Sequence, residues 1–182
     1  SGDTGSAAIA AFSRYKDVEI FILYPQGGVT EIQRKQMTTS QAKNVHALSV
    51  QTDFDGCQDL VKHLFVDKKI ISNRAQFISA NSINWARCMA QSVYYFWTYL
   101  RLKDYIKDLT FSVPSGNFGH AYAGWLAKEM GLPINKIIVA TNSNDVLHKL
   151  FSENYYKKGE VNQTIAPSMD ISVASNFERL LF

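Results

Sequence analysis

Apolar positions along the chain change period repeatedly, from short continuous runs to spacings of three and four residues, which predicts strands and helices in alternation. Residues 6–15 are rich in alanine and predict a helix with Asp3 or Thr4 as its cap. The run Val-Glu-Ile-Phe-Ile-Leu-Tyr at 18–24 is of strand type, stopped by Pro25 and the Gly27-Gly28 pair. A helix over 30–40 follows, capped by Thr30, and then a β-branched strand over 45–52. Cys57, Leu60, Val61, Leu64 and Phe65 recur at helical spacing behind Asp53 or Asp55 as cap. Residues 67–82 are mixed, and 83–102 form the longest helical stretch, loaded with aromatics. Next come a strand at 109–113, a helix at 118–130 closed by Gly131 and Pro133, a strand at 136–140 and a short helix at 144–151. The tail from Tyr155 is polar, turning apolar at 169–173 and 180–182.

Such alternation predicts an α/β fold built on parallel strands with right-handed crossovers. Two alternating sets of elements meet near Asn81–Asn84, so a lobe boundary is expected there, with 1–80 and 81–182 belonging to different lobes. A length of 182 residues with 46% hydrophobic and 19% charged positions is enough for a folded core. The net charge of +3 arises from scattered Lys and Arg, without the basic stripe a nucleic acid requires. No apolar run approaches the roughly 18 residues of a membrane span, and no signal peptide is visible. Cys57 and Cys88 have no metal or redox spacing and read as reduced core residues, which favours a cytoplasmic setting. The chain opens on Ser1-Gly2-Asp3-Thr4-Gly5 with no strand before it, so the natural protein is expected to extend upstream.

Three helix starts are suited to anions. Ser115-Gly116-Asn117-Phe118-Gly119 lies between a strand and a helix, where free N–H groups and the helix dipole favour negative charge. Gly116 and Gly119 are expected to allow close backbone approach and positive φ, and Ser115 and Asn117 add side-chain donors. Taken by itself, this is also what an ordinary glycine-containing loop with an Asn cap looks like. Ser1-Gly2-Asp3-Thr4-Gly5-Ser6 is a second such turn, in which Asp3 repels an anion unless it faces away or meets a donor; a plain cap role for Asp3 stays open. Asn81-Ser82-Ile83-Asn84 opens the long helix, with Ser82 or Asn84 able to cap and Arg87 one turn in, where a guanidinium suits phosphate. A solvated Arg on a capped helix is the commoner case for that motif alone. His46, His63, His120 and His148 lack metal spacing, though His120 follows the glycine loop closely enough to touch a ligand. The aromatic cluster at 94–99 reads as core or lobe interface.

Four motifs in order carry a resemblance: Ser1–Ala7, Ser79–Arg87, Val113–Gly119 and Ala140–Asp145. With Ser168–Ile171 and Ser175–Arg179, they make the whole chain resemble the threonine synthase family of pyridoxal-phosphate enzymes. The resemblance implies the tryptophan-synthase-β-like fold (fold type II), a three-layer αβα arrangement with parallel sheets, here incomplete. Residues 1–80 would belong to the smaller, mobile lobe and 81–182 to the larger, cofactor-binding lobe. It also implies conversion of O-phospho-L-homoserine and water into L-threonine and phosphate, by γ-elimination and β-addition of water. Pyridoxal 5'-phosphate would have its phosphate held by Ser115, Gly116, Asn117, Phe118 and Gly119. Ser1, Gly2, Asp3, Thr4 and Gly5 would line the substrate carboxylate and the edge of the cofactor ring. Asn81, Ser82 and Arg87 would grip the substrate phosphate.

The same resemblance places the Schiff-base lysine upstream of Ser1 and the hydroxyl facing the pyridine nitrogen beyond the carboxyl-terminal end, so no residue here is nominated as catalytic. The chain by itself is accordingly expected to lack turnover. The family's usual Asn or Asp after the glycine loop is His120 here. Two rivals stand beside this reading. One is a phospholyase on the same scaffold, which releases a keto acid; the other is a non-catalytic anion-binding module.

Overall fold

The computed structural model describes residues 2–67 and 76–181, and the chain divides into two compact units, Ser1–Ala80 and Asn81–Phe182. In the first unit, helix α1 (Gly2–Phe12) precedes strand β1 (Ile20–Pro25), helix α2 (Glu31–Thr38), strand β2 (Val45–Val50) and helix α3 (Phe54–Val66). β1 and β2 pair in parallel, Ile20 against Val45 through Pro25 against Val50, with α2 as the crossover. The core of this unit is small: Ile9, Ile20, Ile22 and Met37, flanked by Tyr24, Val29, Val45 and Ala47.

The second unit repeats the plan around a larger core. Helix α4 (Trp85–Leu102) leads to strand β3 (Leu109–Pro114), helix α5 (Gly119–Glu129), strand β4 (Ile134–Ala140) and helix α6 (Val146–Glu153). β3 and β4 pair in parallel. Two short 3₁₀ turns, Pro167–Met169 and Phe177–Leu180, complete the described chain. Cys88, Tyr95, Val113, Phe118, Ala121, Ala123, Ala127 and Leu147 are among the buried core residues. α4 and α5 pack closely because α5 presents small residues: a Cβ on Gly124 would lie 2.7 Å from the Tyr95 ring. The aromatic run on α4 therefore splits by face, with Tyr95 1% exposed but Tyr94 64% and Trp97 59%.

The periodicity locates these elements, and caps explain several of their ends. Thr30 and Gln33 form a reciprocal capping box on α2, Asp53 caps α3, and Asn84 caps α4. α5 stops in a paired C-terminal motif: Gly131, at φ 99°, donates to Lys128 O, and Leu132 donates to Ala127 O. The reading of the first helix needs correction. It begins at Gly2, so Asp3 and Thr4 lie within its first turn and are not its caps. Ser1 lies outside the described residues, as do 68–75 and Phe182. Among the described residues no helix is long and apolar enough to cross a membrane, and no cluster of His, Cys, Asp and Glu is arranged for a metal ion.

Candidate functional site

In the first unit, Gly2 and Gly5 serve packing. A Cβ on Gly2 would come within 2.5 Å of Gln33 Cβ, and one on Gly5 within 2.8 Å of Met37 Sδ, so these glycines let α1 press on α2. Asp3 meets a donor: Gln33 Nε2 hydrogen-bonds to Asp3 Oδ1 at 3.0 Å. Its charge is thereby engaged from the α2 side, and Gly2–Gly5 form a helix N-terminus anchored to that helix.

The second unit holds the larger constellation. β3 delivers Ser115, whose N–H donates to Ala140 O (2.9 Å) and extends the pairing of β3 with β4 by one residue. Ser115 is buried at 3% exposure. After it, Asn117 turns back: its Oδ1 accepts from Gly119 N–H (3.0 Å), and its Nδ2 donates to Ser82 Oγ (3.1 Å). Ser82 in turn donates to Asn81 Oδ1 (3.1 Å), which also accepts from Ile83 N–H (3.3 Å). A continuous chain of side-chain hydrogen bonds thus joins the N-termini of α4 and α5. Asn81, Ser82, Asn117 and Gly119 are brought together by the fold. Arg87 sits on the first turn of α4 with its side chain exposed.

Two expectations about the glycines are revised. Neither Gly116 nor Gly119 has positive φ; the left-handed residue is Phe118, at φ 66° and ψ 0°, as N-cap of α5. Such a conformation costs a non-glycine residue about 1–2 kcal/mol and persists where surroundings dictate it. Here the surroundings are Phe151 and Phe177, whose rings lie 6.2 and 5.4 Å from the Phe118 ring. The side of Gly116 that lacks a Cβ faces Ile171, whose Cδ1 would be 2.8 Å from an added Cβ. Gly119 is hemmed by Asn117 Oδ1, Asn176 Nδ2 and Cys88 Sγ.

His120 does not turn toward the loop. Its Nδ1 is 3.0 Å from Gln91 Oε1, and its ring packs beside Tyr95 and Tyr94 between α4 and α5. Burial holds its pKa below the ordinary imidazole value, so the neutral ring is favoured. Burial also pushes the Cys88 thiol up, with the Arg179 and Arg87 guanidiniums acting in the opposite direction. Both cysteines are free and buried.

Side chains from the tail complete the site, and sequence reasoning assigned them no role. Asn176 is 1% exposed; its N–H donates to Asn117 O (3.0 Å), and its Nδ2 is buried without an acceptor among the described residues. Asp170 Oδ1 accepts from Asn142 Nδ2, Asn144 Nδ2 and Thr164 Oγ1, and its Oδ2 accepts from Thr164 N–H. This clasp fixes the chain next to Ile171. The only available signal was that Ser168–Ile171 and Ser175–Arg179 carried part of the resemblance.

The donor set suits a phosphate. The N–H groups of Asn117 and Phe118 make no backbone hydrogen bond among the described residues, no carboxylate lies within 115–120, and a buried amide donor beneath the loop is unspent.

Comparison with known proteins agrees with this chemistry. A family model described as pyridoxal-phosphate dependent enzyme matches residues 1–181. Threonine synthase of Pseudomonas aeruginosa is 50% identical over 182 residues, all of this chain and 39% of that protein. The solved structure of pyridoxal-phosphate-bound threonine synthase from Brucella melitensis superposes with a TM-score of 0.82 at 50% identity, covering 100% of this chain and 39% of that one. The Escherichia coli threonine synthase structure gives 0.91 at 38% identity, covering 99% and 42%. The chain thus spans about two fifths of the length of these relatives.

Proposed function

Because this chain belongs to the pyridoxal-phosphate dependent enzymes, we propose that it forms part of a threonine synthase, converting O-phospho-L-homoserine and water into L-threonine and phosphate. The observation that carries the reading is the hydrogen-bonded chain from Gly119 through Asn117 and Ser82 to Asn81, which holds two helix N-termini side by side. A reaction that needs a phosphorylated cofactor and a phosphorylated substrate needs two adjacent anion sites, and two helix N-termini supply them. The names of the relatives support the same choice over a phospholyase or a non-catalytic module.

In this reading Ser115, Gly116, Asn117, Phe118 and Gly119 hold the cofactor phosphate. Asn81, Ser82 and Arg87 hold the substrate phosphate, with Arg87 contributing a bidentate charge-assisted contact. Ser1, Gly2, Asp3, Thr4 and Gly5 serve the substrate carboxylate, Asp3 being held off by Gln33. When bound, pyridoxal phosphate supplies an electron sink for carbanion chemistry. The residues of this chain bind and orient, and the paired N-termini keep the two phosphates in fixed register. Residues 1–80 act as the smaller, mobile lobe and 81–182 as the cofactor-binding lobe. The two buried, reduced cysteines support a cytoplasmic setting.

The test uses the full-length protein that carries this chain. Arg87→Ala is expected to raise KM for O-phosphohomoserine about tenfold to a hundredfold, from losing a charge-assisted pair worth about 1.5–3 kcal/mol, with little change in cofactor affinity. An unchanged KM would sink the assignment of Arg87. Release of 2-oxobutyrate without threonine would replace the synthase by a phospholyase, and no turnover at all would favour the binding module.

A further inference from the structure

Arg179 is half-buried and belongs to a short 3₁₀ turn at the end of the described chain. Its Nη2 donates to Ile83 O (2.7 Å), in the loop that opens α4, and its Nε donates to Asn176 Oδ1 (2.9 Å). Asn176 in turn donates its N–H to Asn117 O (3.0 Å), in the loop that opens α5. The same turn presents Phe177, whose ring stands edge-on to Phe118 at 5.4 Å and 73°. One turn therefore grips both candidate phosphate loops: one through a charge-assisted bond to its backbone, the other through a backbone bond and the ring that packs on its left-handed residue.

Three features distinguish this arrangement from ordinary tail packing. Both acceptors of Arg179 are neutral, and among the described residues it makes no ion pair with Asp or Glu. A half-buried guanidinium without a carboxylate leaves positive potential at the two helix N-termini. Next, Asn176 Nδ2 is left without an acceptor although the residue is 1% exposed, a cost the fold accepts while Oδ1 and the backbone are engaged. Finally, the turn is held against the loops from the other direction too, since Ile171 fills the space beside Gly116 and Asp170 is clasped by Asn142, Asn144 and Thr164.

We infer that Arg179, acting through Asn176 and Phe177, is a positioning residue that sets the left-handed turn at Phe118 and couples the cofactor-phosphate loop to the substrate-phosphate loop. The inference rests on the reading of Ser115–Gly119 as a pyridoxal-phosphate site. It assigns Arg179 no direct contact with either phosphate. Lysine keeps the charge but lacks the planar fork that reaches Ile83 O and Asn176 Oδ1 together, so Arg179→Lys removes the coupling while preserving the potential.

The experiment measures pyridoxal-phosphate affinity of the full-length apoprotein and the ³¹P shift of the bound cofactor, with Thr30→Ala, which removes the cap of α2, as a stability control. Arg179→Lys and Arg179→Gln are expected to weaken cofactor binding about tenfold and to move the ³¹P resonance, at temperatures where both remain folded. Thr30→Ala should lower Tm and change neither. Should both Arg179 variants fail to fold, Phe177→Leu carries the test, with a weaker effect in the same direction. Gly116→Ala separates the two layers of the argument. If the wild type shows no saturable binding, or Gly116→Ala leaves it unaltered, the loop assignment falls and the inference falls with it. If Gly116→Ala weakens binding but Arg179→Lys matches the wild type in affinity and ³¹P shift, the inference alone is overturned.

Discussion

Phe118 carries two opposing contributions, and their sizes decide what its replacement does. Its left-handed backbone costs about 1–2 kcal/mol that glycine would recover, whereas its ring is 4% exposed against Phe151 and Phe177. Losing a buried aromatic costs about 3–5 kcal/mol, so Phe118→Gly should destabilise by about 1–4 kcal/mol net, checked by urea unfolding. A gain in stability would show that the ring contributes little. His120 allows a pH prediction. Its folded pKa lies below the ordinary value of about 6.5 because burial disfavours the imidazolium. The unfolded chain therefore binds the proton more readily. The stability His120 contributes is complete above about 6.5 and is lost as pH falls toward its lowered folded value. His120→Gln should flatten the fall in Tm between pH 7 and pH 5; an unaltered slope would place the pH sensitivity elsewhere.

At the scale of elements, α2 shows one side chain joining two structures. Gln33 Oε1 accepts from Thr30 N–H (3.0 Å), Gln33 N–H donates to Thr30 Oγ1 (3.2 Å), and Gln33 Nε2 holds Asp3 on α1. Thr30→Ala should cost about 1 kcal/mol by removing half of the capping box. Amide exchange in α1 should stay as it is, since the backbone N–H of residue 30 still holds Gln33 Oε1 and Gln33 Nε2 still holds Asp3. Faster exchange in α1 would show that the hydroxyl of Thr30, too, supports the start of α1. Thr30 was readable as the cap in the sequence, whereas the reciprocal bond from Gln33 is supplied by the structure. The start of α1 was not, because residues fit for capping, Asp3 and Thr4, are drawn into the helix when Gly2 packs on Gln33.

For the molecule as a whole, the two units differ in how much apolar surface they bury. Among the described residues the core cluster of the first is Ile9, Ile20, Ile22 and Met37, whereas the second gathers Cys88, Tyr95, Val113, Phe118, Leu147 and others around α5. Local stability follows such burial, so the slowest-exchanging amides should lie in β3, α5 and β4, with β1 and β2 exchanging faster in native-state hydrogen exchange. Equal protection in both units would contradict this. Among the described residues each sheet has two strands, and Phe21 and Leu48 on the first sheet are 63% and 48% exposed. Parallel strands are ordinarily covered on both faces.

The order of strands and helices, the βαβ plan and the caps of α2, α3 and α4 follow from the sequence alone, because period and caps act between residues close along the chain. The shared motifs likewise identify the family, since residue order alone carries them. What only the tertiary structure decides depends on residues far apart in sequence. Asn117 meets Ser82 across 35 positions, and Arg179 reaches Ile83 across 96. The positive φ falls on Phe118, because Phe151 and Phe177 pack on its ring and Asn176 holds the preceding carbonyl. Local propensity assigns left-handed backbone to the glycines. Packing assigns it to the phenylalanine, and uses the missing Cβ atoms of Gly116 and Gly119 to bring the tail against the loop.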